Sequence, residues 1–98
     1  CPDLATAEHI AETVVGERLA ACVNIVPGLA SIYRWEGQMQ RDTELLLLIK
    51  THRTIYPSLE ARIRELHPYQ LPEIIALPIQ AGSAAYLAWI ADSTGASG

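Results

Sequence analysis

A chain of 98 residues, half of them apolar and 18% charged, with a formal net charge of −4, describes one small globular domain and leaves no room for a second. Seven basic residues, Lys50 and six arginines, stand against eleven acidic ones, a balance that argues against the basic stripe of a nucleic-acid interface. The longest aliphatic run, Leu45 to Ile49, falls far short of the ~20 residues of a membrane helix.

Asp3 is a good N-cap, and behind it Leu4, Ala7, Ile10 or Ala11, Val14 and Leu19 recur at helical steps. Glu8, Glu12, Glu17 and Arg18 occupy the opposite face, so an amphipathic helix is expected over about residues 4–20, with Gly16 weakening its end. From Cys22 the chain turns β-branched and aromatic: Val23, Ile25 and Val26, then Pro27-Gly28, then Ile32, Tyr33 and Trp35. This predicts one long strand with a bend or bulge at Pro27 and Gly28. Glu36-Gly37 supplies a turn, and Thr43 to Thr51 resumes as a strand, giving a β-hairpin whose arms each reach about a dozen residues, twice the usual length.

Tyr56, Leu59, Ile63 and Leu66 mark a second amphipathic helix over ~55–67, with Pro57 in its first turn and Pro68 ending it. After a turn-rich stretch, Ile74 to Ile79 reads as a third strand. Ser83 then caps a short C-terminal helix running to Ala91, and residues 93–98 form a Ser/Gly/Ala-rich flexible tail behind a single domain of residues 1–92.

The order helix, strand, strand, helix, strand, helix is most of the ferredoxin-like split β-α-β pattern, an α+β sandwich here carrying an extended hairpin and an added C-terminal helix. The first, central strand of that pattern is missing. Its sole methionine being Met39, the natural chain is expected to begin upstream of Cys1 and to supply that strand. Cys1-Pro2-Asp3 shows neither the basic nor the apolar part of a secretory signal, so a cytoplasmic location is expected.

Leu45 to Ile49 and Ile74 to Leu77 do not alternate, which places apolar side chains on both faces of the sheet. One short helix cannot cover a whole second face. A homo-oligomer is therefore expected, with the long hairpin bearing Tyr33, Trp35 and Met39 reaching a neighbour.

Chemistry is sparse. His9, His52 and His67 form no local metal motif, and Cys1 and Cys22 form neither a C-x-x-C pair nor a disulfide scaffold. Phosphate-binding loops and nucleophile elbows are absent, so no enzyme activity has an anchor. His9 and His52 read as surface residues, Cys22 as a packing residue, and the carboxylate pairs as solvated helix faces. His67 stands apart because it closes a helix, as a cap or as a ligand, and precedes the constrained Pro68-Tyr69-Gln70-Leu71-Pro72-Glu73 loop.

Four blocks in order, Ala20-Ala21-Cys22-Val23-Asn24-Ile25-Val26-Pro27-Gly28, Ser31-Ile32-Tyr33-Arg34-Trp35-Glu36-Gly37, Ile49-Lys50-Thr51 and His67-Pro68-Tyr69-Gln70-Leu71-Pro72-Glu73-Ile74, resemble the signature blocks of the CutA divalent-cation tolerance family. The resemblance covers about residues 3–91. It implies a ferredoxin-like homotrimer with a preceding central strand, a role in tolerance of divalent metals, copper binding and no catalytic activity. The family's proposed metal site pairs a cysteine at the end of the first strand with one or two histidines before the Pro-Tyr-Gln block. His67 matches the second histidine, Leu66 stands in place of the first, and Cys1 neighbours the cysteine position without matching it. His67 and Cys1 are thus the candidate ligands for weakly bound copper or another divalent metal. The alternative is a regulatory trimer binding a small molecule in inter-subunit clefts where Tyr33, Trp35, Lys50, Tyr69 and Glu73 meet, and a third reading is a scaffold that anchors another protein.

Overall fold

A computed structural model describes residues 3–67 and 73–95. Helix α1 (Leu4–Gly16) begins where the Asp3 carboxylate accepts hydrogen bonds from the Thr6 amide at 2.7 Å and the Thr6 hydroxyl at 3.1 Å, satisfying one of the otherwise unpartnered first-turn donors. Ala7, Ile10 and Val14 form its buried stripe. The helix stops at Gly16, short of the apolar pattern that runs on through Leu19 and Ala20. Glu17 donates to the Thr13 carbonyl, Arg18 enters the left-handed region at φ 62°, and the amides of Leu19 and Ala20 both return to the Val14 carbonyl. Leu19 and Ala20 therefore keep their inward direction inside a tight turn, which is why they extend the helical pattern without being helical.

Strands β1 (Cys22–Trp35) and β2 (Gln38–Lys50) form one antiparallel hairpin, with arms of 14 and 13 residues. Its turn places Glu36 at φ 52° and Gly37 at φ 79°, the two positive angles that a two-residue turn needs to match the strand twist. Register runs from Cys22 opposite Lys50 to Val26 opposite Leu46, then shifts by one from Leu29 opposite Glu44 to Trp35 opposite Gln38. The shift is the bulge expected at Pro27-Gly28, where Gly28 adopts φ 74° and Pro27 has no amide to lose from the ladder.

A 3₁₀ turn (Arg53–Ile55), capped by His52 Nδ1 accepting from the Thr54 amide at 3.2 Å, leads into α2 (Tyr56–Leu66). Leu59 and Ile63 of α2 pack with Ile10, Val14 and Ala20, and Val23, Leu47, Ile49, Leu66 and Ile74 close around them. The two helices thus cover one face of the hairpin's open end. Arg62 ties them together at the surface, its guanidinium reaching both carboxylate oxygens of Glu17 at 3.0 Å and Glu65 at 3.2 Å.

Residues 73–80 differ from expectation. The predicted strand Ile74 to Ile79 carries no regular structure, and the sheet described contains only β1 and β2. A strand exists only where a neighbour accepts and donates its ladder bonds, and neither hairpin strand pairs with this segment.

Helix α3 (Ala84–Ser93) starts where Ser83 Oγ accepts from the Tyr86 amide at 3.1 Å. It continues through Ser93, past Ala91 and into the segment read as tail. Thr94 is fully buried, its hydroxyl donating to the carbonyls of Ile90 and Ala91. Residues 96–98 lie outside the described part. Arg18 holds this end in place: its Nη2 donates to the Asp92 carbonyl at 2.7 Å and to the Thr94 carbonyl at 3.3 Å, neutralising the negative end of the helix.

Arg18→Met removes both bonds and is expected to cost about 1–2 kcal/mol in chemical denaturation, with faster amide exchange at the α3 C-terminus. Arg18→Gly loses the same clasp but relieves the positive φ, so its measured loss should be smaller than that of Arg18→Met.

Candidate functional site

His67 terminates α2. Its amide closes the helix on the Ile63 carbonyl at 2.8 Å, and its backbone then turns extended, φ −80° and ψ 135°. Partial burial holds the imidazole below the ordinary histidine pKa, and the negative charge of Glu44 acts in the opposite direction. A neutral imidazole keeps the lone pair that a transition metal needs. Glu44, the source of that charge, is a residue that the sequence reading passed over. Glu44 sits on β2 opposite Leu29, just past the bulge, half-buried, and its Oε2 accepts from Ser31 Oγ at 3.1 Å. A sequence signal for it existed: it is the acidic residue immediately before the aliphatic run Leu45 to Ile49.

The other candidate ligand, Cys1, lies outside the described residues. Among those described, no three His, Cys, Asp or Glu side chains are grouped to hold a metal ion. Of the two candidate ligands only His67 is described, one donor where copper in a tetragonal or tetrahedral site takes about four. The described residues of one chain therefore do not make a complete metal site.

The cleft candidates are spread along the hairpin. Tyr33 and Trp35 stand near its tip, opposite Gln40 and Gln38, with the Tyr33 hydroxyl donating to Asp42. Lys50 stands at the other end, opposite Cys22, with its ammonium on Asn24 Oδ1. Along β1, the stretch from Cys22 to Tyr33 spans roughly 30 Å at the usual rise once the bulged position is discounted. One chain does not bring these groups together; Tyr69 falls outside the described residues, and Glu73 is exposed. His9 is exposed on α1 and His52 caps the 3₁₀ turn. Cys22 is half-buried, its Sγ 4.0 Å from Asn24 Oδ1.

Large apolar side chains dominate what remains in contact with water. On the hairpin face opposite the helices, Val26, Leu46 and Leu48 are exposed, and so are Tyr86, Leu87 and Trp89 of α3, whose Tyr86 and Trp89 rings lie 5.5 Å apart. The accessible surface is 6932 Å², against roughly 5,500 Å² for a folded monomer of this mass. The excess is of the order that one partner contributes to one or two standard protein interfaces. No described helix is long and apolar enough to cross a membrane.

A sequence model of the family described as "CutA1 divalent ion tolerance protein" matches residues 1–93. The chain is 55% identical over 94 residues to the "Divalent-cation tolerance protein CutA" of Thermus thermophilus, covering 96% of this chain and 91% of that one. The solved structure of the divalent cation tolerance protein from Thermus thermophilus superposes with a TM-score of 0.94 over the same shares. Similarity extends to "Protein CutA, chloroplastic" of Arabidopsis thaliana, 47% identical over 93 residues, a match that covers 95% of this chain and 51% of that one. It also extends to the structure described as the periplasmic divalent cation tolerance protein CutA from Archaeoglobus fulgidus, 35% identical, TM-score 0.91, covering 95% of this chain and 90% of that one. Proteins this similar thus carry names from different compartments.

The depressed pKa of His67 fixes a sign. Its unfolded imidazole takes up a proton before the folded one does, so stability is fully present above the ordinary histidine value of about 6.5 and declines as pH falls through it. Glu17, held below the ordinary carboxylate range by the hydrogen bonds from Arg62, adds a decline of the same sign at lower pH. His67→Gln should flatten the melting-temperature profile between about pH 7 and pH 5 while leaving the more acidic limb unchanged.

Proposed function

The chain belongs to the CutA1 divalent ion tolerance family, and from that premise we propose that it works as a homotrimer that binds copper or another divalent metal weakly and takes part in the response to metal ions. The observation that carries the metal reading is the half-buried imidazole of His67 at the end of α2, disfavoured in its protonated form by that burial. A neutral imidazole suits Cu(II) among the first-row divalent ions, because copper stands highest in their affinity order. A single donor makes a weak site, so tighter binding requires further donors from another subunit or from residues such as Cys1.

The trimer reading is supported by the apolar outer face of the hairpin and by the surface excess over a monomer. It also gives the scattered cleft candidates a way to meet, since the tip of one hairpin could reach the strand end of a neighbour. No catalytic step belongs to this reading, and the cytoplasm is the proposed location.

Calorimetric titration of Cu(II) into the wild-type chain and His67→Ala is the direct test. Binding at least about tenfold weaker in the variant is expected, and unchanged binding would remove His67 from the site. Light scattering at micromolar concentration should return three times the chain mass; a monomer mass would overturn the assembly.

A further inference from the structure

The entry to α2 is capped by an imidazole. Ile55, which precedes the helix, makes no side-chain capping bond, and Pro57 in the first turn has no amide to cap. The helix is therefore held at its start by the 3₁₀ turn before it. There the Ile55 amide donates to the His52 carbonyl at 3.0 Å, the Tyr56 amide donates to the Arg53 carbonyl, and the Thr54 amide donates to His52 Nδ1 at 3.2 Å. Of these acceptors only Nδ1 can be abolished by a proton near neutral pH. The same junction meets two other parts of the molecule: the Thr51 hydroxyl donates to the Leu19 carbonyl at 2.7 Å in the turn after α1, and a Cβ on Gly95, just past α3, would lie 3.6 Å from Ile55.

His52 is half-buried, and its ring meets Thr54 twice at one atom: the amide and, at 3.0 Å, the hydroxyl both lie on Nδ1. An amide N–H only donates, so the neutral ring keeps its lone pair on Nδ1 and its proton on Nε2. A hydroxyl donates or accepts. A second proton on the ring turns Nδ1 into a donor, which the Thr54 hydroxyl accepts, while the Thr54 amide loses its acceptor. Thr54 is exposed, so water takes up the released amide and the turn loosens without breaking the fold. A cation at the amino end of a helix also opposes the helix dipole. No ion pair among the described residues supplies the ring with a counter-charge. On the surrounding elements, Lys50 is engaged by Asn24, Arg18 by the Asp92 and Thr94 carbonyls, Glu17 and Glu65 by Arg62, and Glu60 by Arg64 and the Tyr56 hydroxyl. The Asp92 carboxylate joins none of these pairs, and Arg53, next in the chain, carries the same sign as an imidazolium.

We propose that His52 makes the entry to α2 a proton-operated catch, closed while Nδ1 is a bare acceptor for the Thr54 amide and released when that atom is protonated. Histidine is the side chain that changes charge between about pH 5 and pH 8, so the catch works in that range. The sign follows from the geometry: the closed turn binds one proton fewer than the released one, so closure is favoured as pH rises and lost as it falls. His67 stands at the other end of α2 and takes no part in the device, and the proposal does not rest on the metal reading.

The test is an NMR titration of the isotope-labelled full chain between about pH 8 and about pH 5, with a chelator present. At the upper end the His52 ring should be the Nε2–H tautomer. As pH falls, the Thr54 amide signal should move upfield with the same midpoint as the His52 ring, and its exchange protection should drop about fivefold, the equilibrium equivalent of one lost cap. His52→Asn supplies a capping oxygen that does not titrate, and in that variant the Thr54 amide should hold its position over the whole range. His67→Gln should leave the Thr54 titration as it is in the wild type. An Nδ1–H tautomer at the upper end, a Thr54 amide indifferent to the ring's titration, or one that still titrates in His52→Asn would overturn the catch. Where His52→Asn does not fold, the tautomer and the coincidence of the two midpoints in the wild-type chain decide the matter.

Discussion

One constraint governs this molecule: its long hairpin is apolar on two faces, and its own helices cover only one of them. A two-stranded ribbon is marginal in water, so α1 and α2 must supply the packing that makes it permanent. They do so at its open end, where Val23, Leu47 and Ile49 meet Ile10, Val14, Leu59 and Ile63. Toward the tip no described helix follows, and the radius of gyration, 14.6 Å, exceeds the ~13 Å of a compact domain of this length. A projecting, sticky arm is tolerable only when something else receives it, which is why the surface argues for assembly more strongly than any motif does.

The bulge at Pro27-Gly28 then determines what lies on which side. Before it, Val23 and Ile25 share the helical face with Leu47 and Ile49 through direct pairing, while Asn24, Val26, Leu46 and Leu48 face away. After it, the register has moved by one residue, and Ser31 and Tyr33 fall beside Glu44 and Asp42. A single inserted position thus converts the outer face from aliphatic near the body to acidic and hydroxylic along the arm. One local backbone event therefore sets the carboxylate beside its hydroxyl partner.

Local order is legible in the sequence because its causes are local. Helical spacing of Ala7, Ile10 and Val14, the caps Asp3 and Ser83, the Pro-Gly break and the Glu-Gly turn each act within a few residues, and each is found where the pattern puts it. Expectation and structure part where a distant partner decides. The apolar run from Ile74 has the composition of a strand but no ladder beside it in the chain described. The end of α1 is hidden in the pattern because Leu19 and Ala20 still point inward after the chain has turned at Arg18. His67 stands out by its place at a helix end, whereas the charge of Glu44, distant in sequence, acts on it only through the fold, which no local pattern announces.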